Sequence, residues 1–196
     1  MKQRTDALHA FSSLLRERAV PIGLVAAHDR DRLFERHVLD SVRALPCLPA
    51  GASDVIDIGS GAGLPGIPLA IARPDSAFVL LEPISRRAAF SELVAETLGL
   101  SNVRVVVGRA ESVRLESDVC LTRAIAGPER SWALARGLLR QGGRLLYWAG
   151  RSWEPRPASS PADVVIEVCE ASSVAGSGPL VMMHEVPPGP VGMDGA

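Results

Sequence analysis

The residues best able to do chemistry in this chain lie in VIDIGSGAGLPGIPLA, from Val55 to Ala70. Within it, Gly61-Ala62-Gly63-Leu64-Pro65-Gly66 spells G-x-G-x-x-G after a short apolar run. A glycine turn between a strand and a helix lets the backbone approach an adenosine-bearing ligand, a need that dinucleotides share with S-adenosylmethionine (AdoMet). Two neighbouring features separate those ligands. Asp57 precedes Gly59 at the spacing D-x-G-x-G-x-G, the pattern of AdoMet-dependent methyltransferases. A carboxylate there can accept from the methionine amino end of the cofactor, directly or through water. Pro65 and Pro68 follow the glycines, and neither has the N–H that a pyrophosphate exploits at a helix N-terminus. A sulfonium cofactor without phosphate has no such need. Glu82 closes the next apolar run, AFVLLEP, where a carboxylate accepts from ribose hydroxyls. The expected cofactor is therefore AdoMet, with Asp57, Gly61, Gly63 and Glu82 among its contacts.

The acceptor is read from Cys120-Leu121-Thr122-Arg123-Ala124. Exocyclic-amine methyltransferases carry [N/D]-P-P-[F/Y/W] after this strand, and carbon-5 cytosine enzymes need a Pro-Cys nucleophile. Neither is present there. The Pro46-Cys47 pair precedes the glycine turn in a connecting segment, and Cys120 follows Val119 in an apolar run. Guanine N7 has an in-plane lone pair and no proton, so methylating it requires alignment and proximity rather than a base. Arg123, closing a strand at the carboxyl edge of a sheet, stands where ligands bind in such sheets, and is the candidate for placing the reactants.

These residues need elements to hold them. Helical spacing runs through DALHAFSSLLRER and DRDRLFERHVLDSVRAL, the latter with a stripe of Leu33, Phe34, Val38 and Val42. DVIDIG is a strand into the glycine turn, PGIPLAIA a helix start, and AFVLLEP a second strand. SRRAAFSELVAETLGL is a helix, with Ser85 as N-cap and Gly99 as stop. NVRVVVGRAE and DVCLTRA are strands three and four. GPERSWALARGLLRQGG is a helix, with Gly142-Gly143 turning into strand five, RLLYWAG. This alternation predicts an α/β fold, a doubly wound Rossmann-like sheet of the class I AdoMet-dependent methyltransferase kind. RSWEPRPASSPA is a loop, and DVVIEVCEA with PLVMMHEV forms an antiparallel hairpin at the sheet edge. The expected organisation is one domain over 1–186, with N-terminal helices over 1–50, a cofactor-binding core over 54–150 and the edge hairpin over 163–186. The proline- and glycine-rich 187–196 is expected to be a disordered tail.

Composition narrows the functional classes. The chain has 196 residues, 47% hydrophobic and 22% charged, with a net charge of −1, so no global field advertises nucleic acid. Its basic charge is almost all arginine. No apolar run reaches a membrane span, and MKQRTDALHA lacks a signal-peptide core, so a cytoplasmic protein is expected. Three cysteines without a C-x-x-C pair read as reduced thiols, and no metal site is assigned.

RHVLDS (Arg36 to Ser41), DIGSGAGLPGIPLA, LLEP followed by RR and F, GRAE (Gly108 to Glu111) and TRA (Thr122 to Ala124) occur in that order. Over Leu24 to Gly150 the chain thus resembles the bacterial small-subunit rRNA guanine-N7 methyltransferase G family, also called glucose-inhibited division protein B. The resemblance implies methyl transfer from AdoMet to N7 of one guanine in the decoding-region loop of 16S rRNA. Naked rRNA or the small ribosomal subunit would be the partner. It also implies cofactor contacts at Gly59, Leu64, Ala110, Glu111 and Arg123. Strand five of the family usually ends in Lys-Gly, whereas Trp148-Ala149-Gly150 stands here, so Arg151 is the replacement phosphate contact to consider. Arg86 and Arg87 are further RNA-binding candidates, because positive charge at a helix start gains nothing from the helix dipole. His37 and Asp40, at i and i+3, read equally as a helix-stabilising pair or a functional one. Two other classes are kept: a small-molecule AdoMet-dependent methyltransferase, and a non-catalytic AdoMet- or RNA-binding paralogue.

Overall fold

The computed structural model describes residues 2–154 and 163–186. Helix α1 (Lys2–Leu14) runs on into a π-helical turn, Leu15–Ala19. The second helical stretch is broken up. It consists of a 3-10 turn (Ala27–Arg32), a π-helical segment (Phe34–Leu39), α2 (Asp40–Val42) and a 3-10 turn (Leu45–Cys47). Its stripe still packs inward, with Leu33 and Val38 fully buried against Phe11 and Leu15 of the first helix.

The core alternates as expected: β1 (Asp54–Ile58), α3 (Gly66–Ala72), β2 (Ala77–Glu82), α4 (Ser85–Thr97), β3 (Val103–Val107), β4 (Ser117–Arg123), α5 (Pro128–Arg136) and β5 (Leu139–Trp148). The edge strands β6 (Val164–Val168) and β7 (Leu180–Glu185) follow. The sheet order is β3-β2-β1-β4-β5-β7-β6. The first five strands are parallel, and β7 runs antiparallel to both β5 and β6. Strands buried on both faces read as continuous apolar runs. Accordingly Val55 and Ile56 of β1 are each only 1% exposed, on opposite faces. Val55, Leu80, Leu121 and Leu146 meet α1, α3, α4 and the N-terminal turns. Ile56, Cys120, Leu145 and Tyr147 meet Trp132 and Ala135 of α5. Chain order reverses between β1 and β4, and ligands bind beyond the carboxyl ends of the strands at such a switch point.

Three local expectations are corrected. Helix α4 begins at Ser85 itself, its N-cap is Ile84, and no side chain caps it. The Ile84 N–H instead donates to Glu82 Oε1 at 2.9 Å. Helix α5 ends at Arg136, with Gly137 as C-cap, so GLLRQGG is not helical. Gly142 and Gly143 lie inside β5 rather than before it, where the register against β4 jumps from Ser117↔Leu139 to Val119↔Arg144. Gly142 has φ +76°, which a bulge there accommodates only with glycine at low cost. The predicted tail, 187–196, and 155–162 of the predicted loop lie outside the described residues. Among the described residues no helix is long and apolar enough to cross a membrane.

Candidate functional site

The glycine turn caps β1. Gly59, Gly61 and Gly63 have φ of 66°, 58° and 78°, a left-handed region that favours glycine. A side chain at Gly63 would collide with Ile67 in the first turn of α3, and a Cβ at Gly59 would sit 2.8 Å from Ile125 Cδ1. Gly63 therefore serves close packing of loop on helix, whereas Gly59 and Gly61 line an open cleft of about 660 Å³. That volume is within the usual range for small-molecule and cofactor sites, about 300–1,000 Å³.

Glu82 fastens this turn to the end of β2. Its Oε2 accepts from the Gly61 N–H and its Oε1 from the Ile84 N–H, both at 2.9 Å. Each carboxylate oxygen retains acceptor capacity toward the cleft that Glu82 lines. Asp57 sits beneath the floor and is 1% exposed. Its Oδ2 accepts from the Gly66 N–H at 2.8 Å, and its Oδ1 has no partner. Burial pushes the Asp57 carboxyl up to about 7, against the Gly66 hydrogen bond and the Arg123 charge, with Glu82 adding to the rise. Ser60 Oγ, on the cleft wall, is likewise buried without a partner. Buried polar atoms are nearly always paired in folded proteins, so orphaned oxygens beside a cleft suit a ligand that brings donors or positive charge.

Arg123 closes β4 and is only partly exposed, its guanidinium held by the RHVLDS segment. Its Nη2 donates to Arg36 O at 3.2 Å and to His37 Nδ1 at 3.1 Å, and pairs with Asp40 Oδ2 at 3.2 Å. Its Nη1 donates to His37 O and Ser41 Oγ, each at 3.3 Å. Burial lowers its pKa, while Asp40 and then Asp57 hold it up. An arginine only donates, so His37 Nδ1 must accept and its proton resides on Nε2, which donates to Asp29 Oδ2 at 3.1 Å. Burial, followed by the Arg123 charge, lowers the His37 pKa. Arg36 completes the cluster with Nε 2.9 Å from Asp29 Oδ1. His37 and Asp40 thus do not pair with each other; both serve Arg123.

Two further clefts adjoin the first. One, about 280 Å³, is lined by Arg109, Ala110 and Glu111 and shares Gly59, Pro83 and Ile125 with it. The other, about 330 Å³, shares Arg36, Arg123 and Ala124, and adds Arg43, Trp148 and Arg151.

The rRNA small subunit methyltransferase G family (GidB) matches residues 4–178. The chain belongs to that family. It is 44% identical over 146 residues to the ribosomal RNA small subunit methyltransferase G of Thermobifida fusca (strain YX), covering 74% of this chain and 61% of that protein. The protein of that name from Mycolicibacterium paratuberculosis is 40% identical over 182 residues, 86% of this chain and 73% of its own length. The chain therefore spans about 60% of several curated relatives it matches. Among solved structures, MtNAS in complex with MTA and tNA superposes with a TM-score of 0.59 at 20% identity, covering 95% of this chain and 71% of that one. TrmN from Thermus thermophilus gives 0.52 at 22% identity, covering 76% and 48%. These likenesses show the fold, that of the class I AdoMet-dependent methyltransferases.

In this GidB-family protein the residues singled out from sequence fall into groups. Gly59, Gly61, Leu64, Glu82 and Arg123 share the cleft at the glycine turn, while Ala110 and Glu111 line its extension. Asp57 and Gly63 lie behind the lining rather than in it. Of the arginines proposed for RNA, Arg87 faces the cleft at the glycine turn, Arg151 the cleft behind Arg123, and Arg86 neither. Trp148 is 6% exposed, and its Nε1 donates to Asp40 O at 3.1 Å, so the end of β5 braces the RHVLDS segment. Sequence reasoning missed Asp29, Ser60 and the Leu24–Ala26 wall. Asp29 had no readable signal, because its partner His37 lies across the break between the 3-10 and π-helical segments.

Proposed function

We propose that the protein transfers a methyl group from AdoMet to N7 of a guanine in 16S rRNA, acting on the small ribosomal subunit in the cytoplasm as one domain over 1–186. The observation that carries this reading is the engagement of the imidazole beside Arg123 at both of its nitrogens. His37 is the imidazole at the clefts, and both its nitrogens are engaged, one by Arg123 and one by Asp29. Asp57, pushed up to about 7, lies behind the lining with one oxygen held by Gly66. The Cys120 thiol is fully buried, pushed up to about 12, and neither Cys47 nor Cys169 lines these clefts. Among the described residues these clefts thus offer neither a free imidazole base nor a cysteine nucleophile, and a proton-free lone pair needs neither.

The residues suit this cofactor. Glu82 presents carboxylate lone pairs where ribose hydroxyls would donate. Asp57 Oδ1 and Ser60 Oγ offer acceptors near the methionine end, and the carboxylates beneath the turn favour a cation over a phosphate. AdoMet bound there supplies an electrophilic methyl on a sulfonium. Arg123, fixed by its contacts to the N-terminal segment, then sets the wall between the cofactor cleft and the cleft behind it. Proximity and orientation of this kind supply much of the barrier reduction in a direct transfer. The exposed Arg36 and Arg151 favour a polyanionic acceptor over a small neutral one. The test is tritiated AdoMet with small subunits from a strain lacking the gene, followed by mapping of the label. Label at guanine N7 is expected; label on an exocyclic amine or a carbon, or none, refutes the reading.

A further inference from the structure

We propose that the cleft of about 330 Å³ behind Arg123 receives the acceptor nucleotide after it leaves the RNA stack, and that the turn between β6 and β7 is its outer wall. The inference rests on the reading of RNA as methyl acceptor. Three observations carry it.

The first is position and size. The cleft opens at the ends of β4 and β5 and touches the cofactor cleft through Arg36, Arg123 and Ala124. Its volume suits a single nucleotide and excludes a duplex, so a base must be extruded to enter, as enzymes acting on bases generally require. Ala124, at the boundary, has φ +56°, an uncommon conformation for a residue with a Cβ. The surroundings hold the segment after it: the Tyr147 hydroxyl donates to Ala126 O at 3.2 Å. Such backbone is retained where the surroundings over-determine it, and it concentrates at ligand sites.

The second is charge. Four arginines and one aspartate line the cleft. Asp40 is shared by Arg43 Nε at 2.7 Å and by Arg123, and Arg36 leans on Asp29. Arg151 is exposed at the rim and makes no ion pair among the described residues. The surplus positive charge therefore sits at the mouth, where a phosphate flanking an inserted base would lie. The third is that the wall is built rather than incidental. Arg43 Nη2 donates to Gly178 O at 2.8 Å, and a side chain at Gly178 would collide with the backbone of Ala149 and Gly150. The turn is thus clamped between the N-terminal segment and the end of β5, leaving Ala175 exposed along the cleft.

The experiment uses the full chain and a fluorescein-labelled single-stranded RNA containing one guanine, with anisotropy for RNA affinity, calorimetry for AdoMet affinity and turnover on small subunits. Ala175→Trp fills the cleft, and Arg151→Ala removes the cation at its mouth. Each should weaken RNA binding by about tenfold or more, with AdoMet affinity within about twofold of wild type. Arg151→Ala should also lower the salt slope of RNA binding by about one. Retained AdoMet binding certifies the fold, and if Ala175→Trp loses it, Arg151→Ala alone decides. RNA affinity and salt slope unchanged in the folded variants overturn the proposal. A wild-type protein that binds this RNA through the cleft yet methylates nothing would refute the proposed function while leaving the cleft assigned.

Discussion

Asp57→Asn separates what this carboxylate costs the fold from what it gives the ligand. Asp57 is buried with one oxygen satisfied by Gly66 and the other bare. Its rise from 3.8 to about 7 corresponds to about 4 kcal/mol between the charged and neutral forms. Below the unfolded value both states hold the proton and Asp57 costs the fold nothing. Between 3.8 and about 7 the unfolded chain has released its proton while the folded one keeps it, so stability falls as pH rises. Above about 7 the penalty is complete. Asparagine keeps an acceptor for the Gly66 N–H and removes the charge, but buries an amide whose own shortfall costs about 1–3 kcal/mol. The net expectation is a gain of about 1–3 kcal/mol at pH 8, turning into a loss of about 0.5–2.5 kcal/mol near pH 4. Urea unfolding at the two pH values measures it, as a shift of midpoint at unchanged slope. A variant destabilised equally at both pH values would show that the fold satisfies the charged carboxylate, and the reasoning would fail. AdoMet titrations make the functional half visible. A cationic ligand beside Asp57 expels its proton, so wild-type affinity should climb with pH through about 7, while Asp57→Asn should be weaker and flat.

Glu82→Ala frees the Gly61 and Ile84 amides and removes the expected ribose acceptor; calorimetry should show AdoMet affinity lower by about 1–3 kcal/mol, and unchanged affinity would reject the assignment. Arg123→Lys retains charge but cannot reach Arg36 O, His37, Ser41 and Asp40 together, so single-turnover methyl transfer should fall at least tenfold, about 1.4 kcal/mol. A near-wild-type rate would show that charge alone suffices. His37 has a folded pKa below 6.5, so the stability it contributes is present above 6.5 and is lost as pH falls below it; His37→Gln should flatten this part of the stability profile, and an unaltered profile would show that burial and the Arg123 charge do not disfavour the charged imidazole. The methyl-transfer step itself should show no general-base titration near neutral pH, read from single-turnover rates across that range.

The sheet was legible because its signals are local. Short, β-branched runs stopped by glycine, such as DVIDIG, suit buried strands, and the positive-φ glycines after β1 announce a turn that other residues make only at a cost. The misread places were those where tertiary context overrode a local signal. GLLRQGG has helical apolar spacing, yet Leu139 onward pairs with β4. Ser85 is a good capping residue, but Glu82 reaches forward to the Ile84 amide and the helix starts without it.

The candidate site divides along the same line. A carboxylate ending β2 and an arginine ending β4 are placed by sheet topology, so type and position together exposed Glu82 and Arg123 in the sequence. What each does depends on pairings no window contains. Arg123 meets Arg36 O, His37 O and Ser41 Oγ across 82 to 87 positions of chain, and Trp148 reaches Asp40 O across 108. RHVLDS therefore reads in isolation as an amphipathic helix carrying spare polar residues. In the folded chain it is a socket: two carbonyls, a hydroxyl, an imidazole nitrogen and a carboxylate converge on one guanidinium. A guanidinium so fully engaged cannot swing out to clasp a substrate without breaking several hydrogen bonds, each worth about 0.5–1.5 kcal/mol net and more where charge assists. On the proposed function Arg123 acts from a fixed place, as the partition across which cofactor and acceptor would face each other, and the motif's conspicuous polarity serves to hold that guanidinium still.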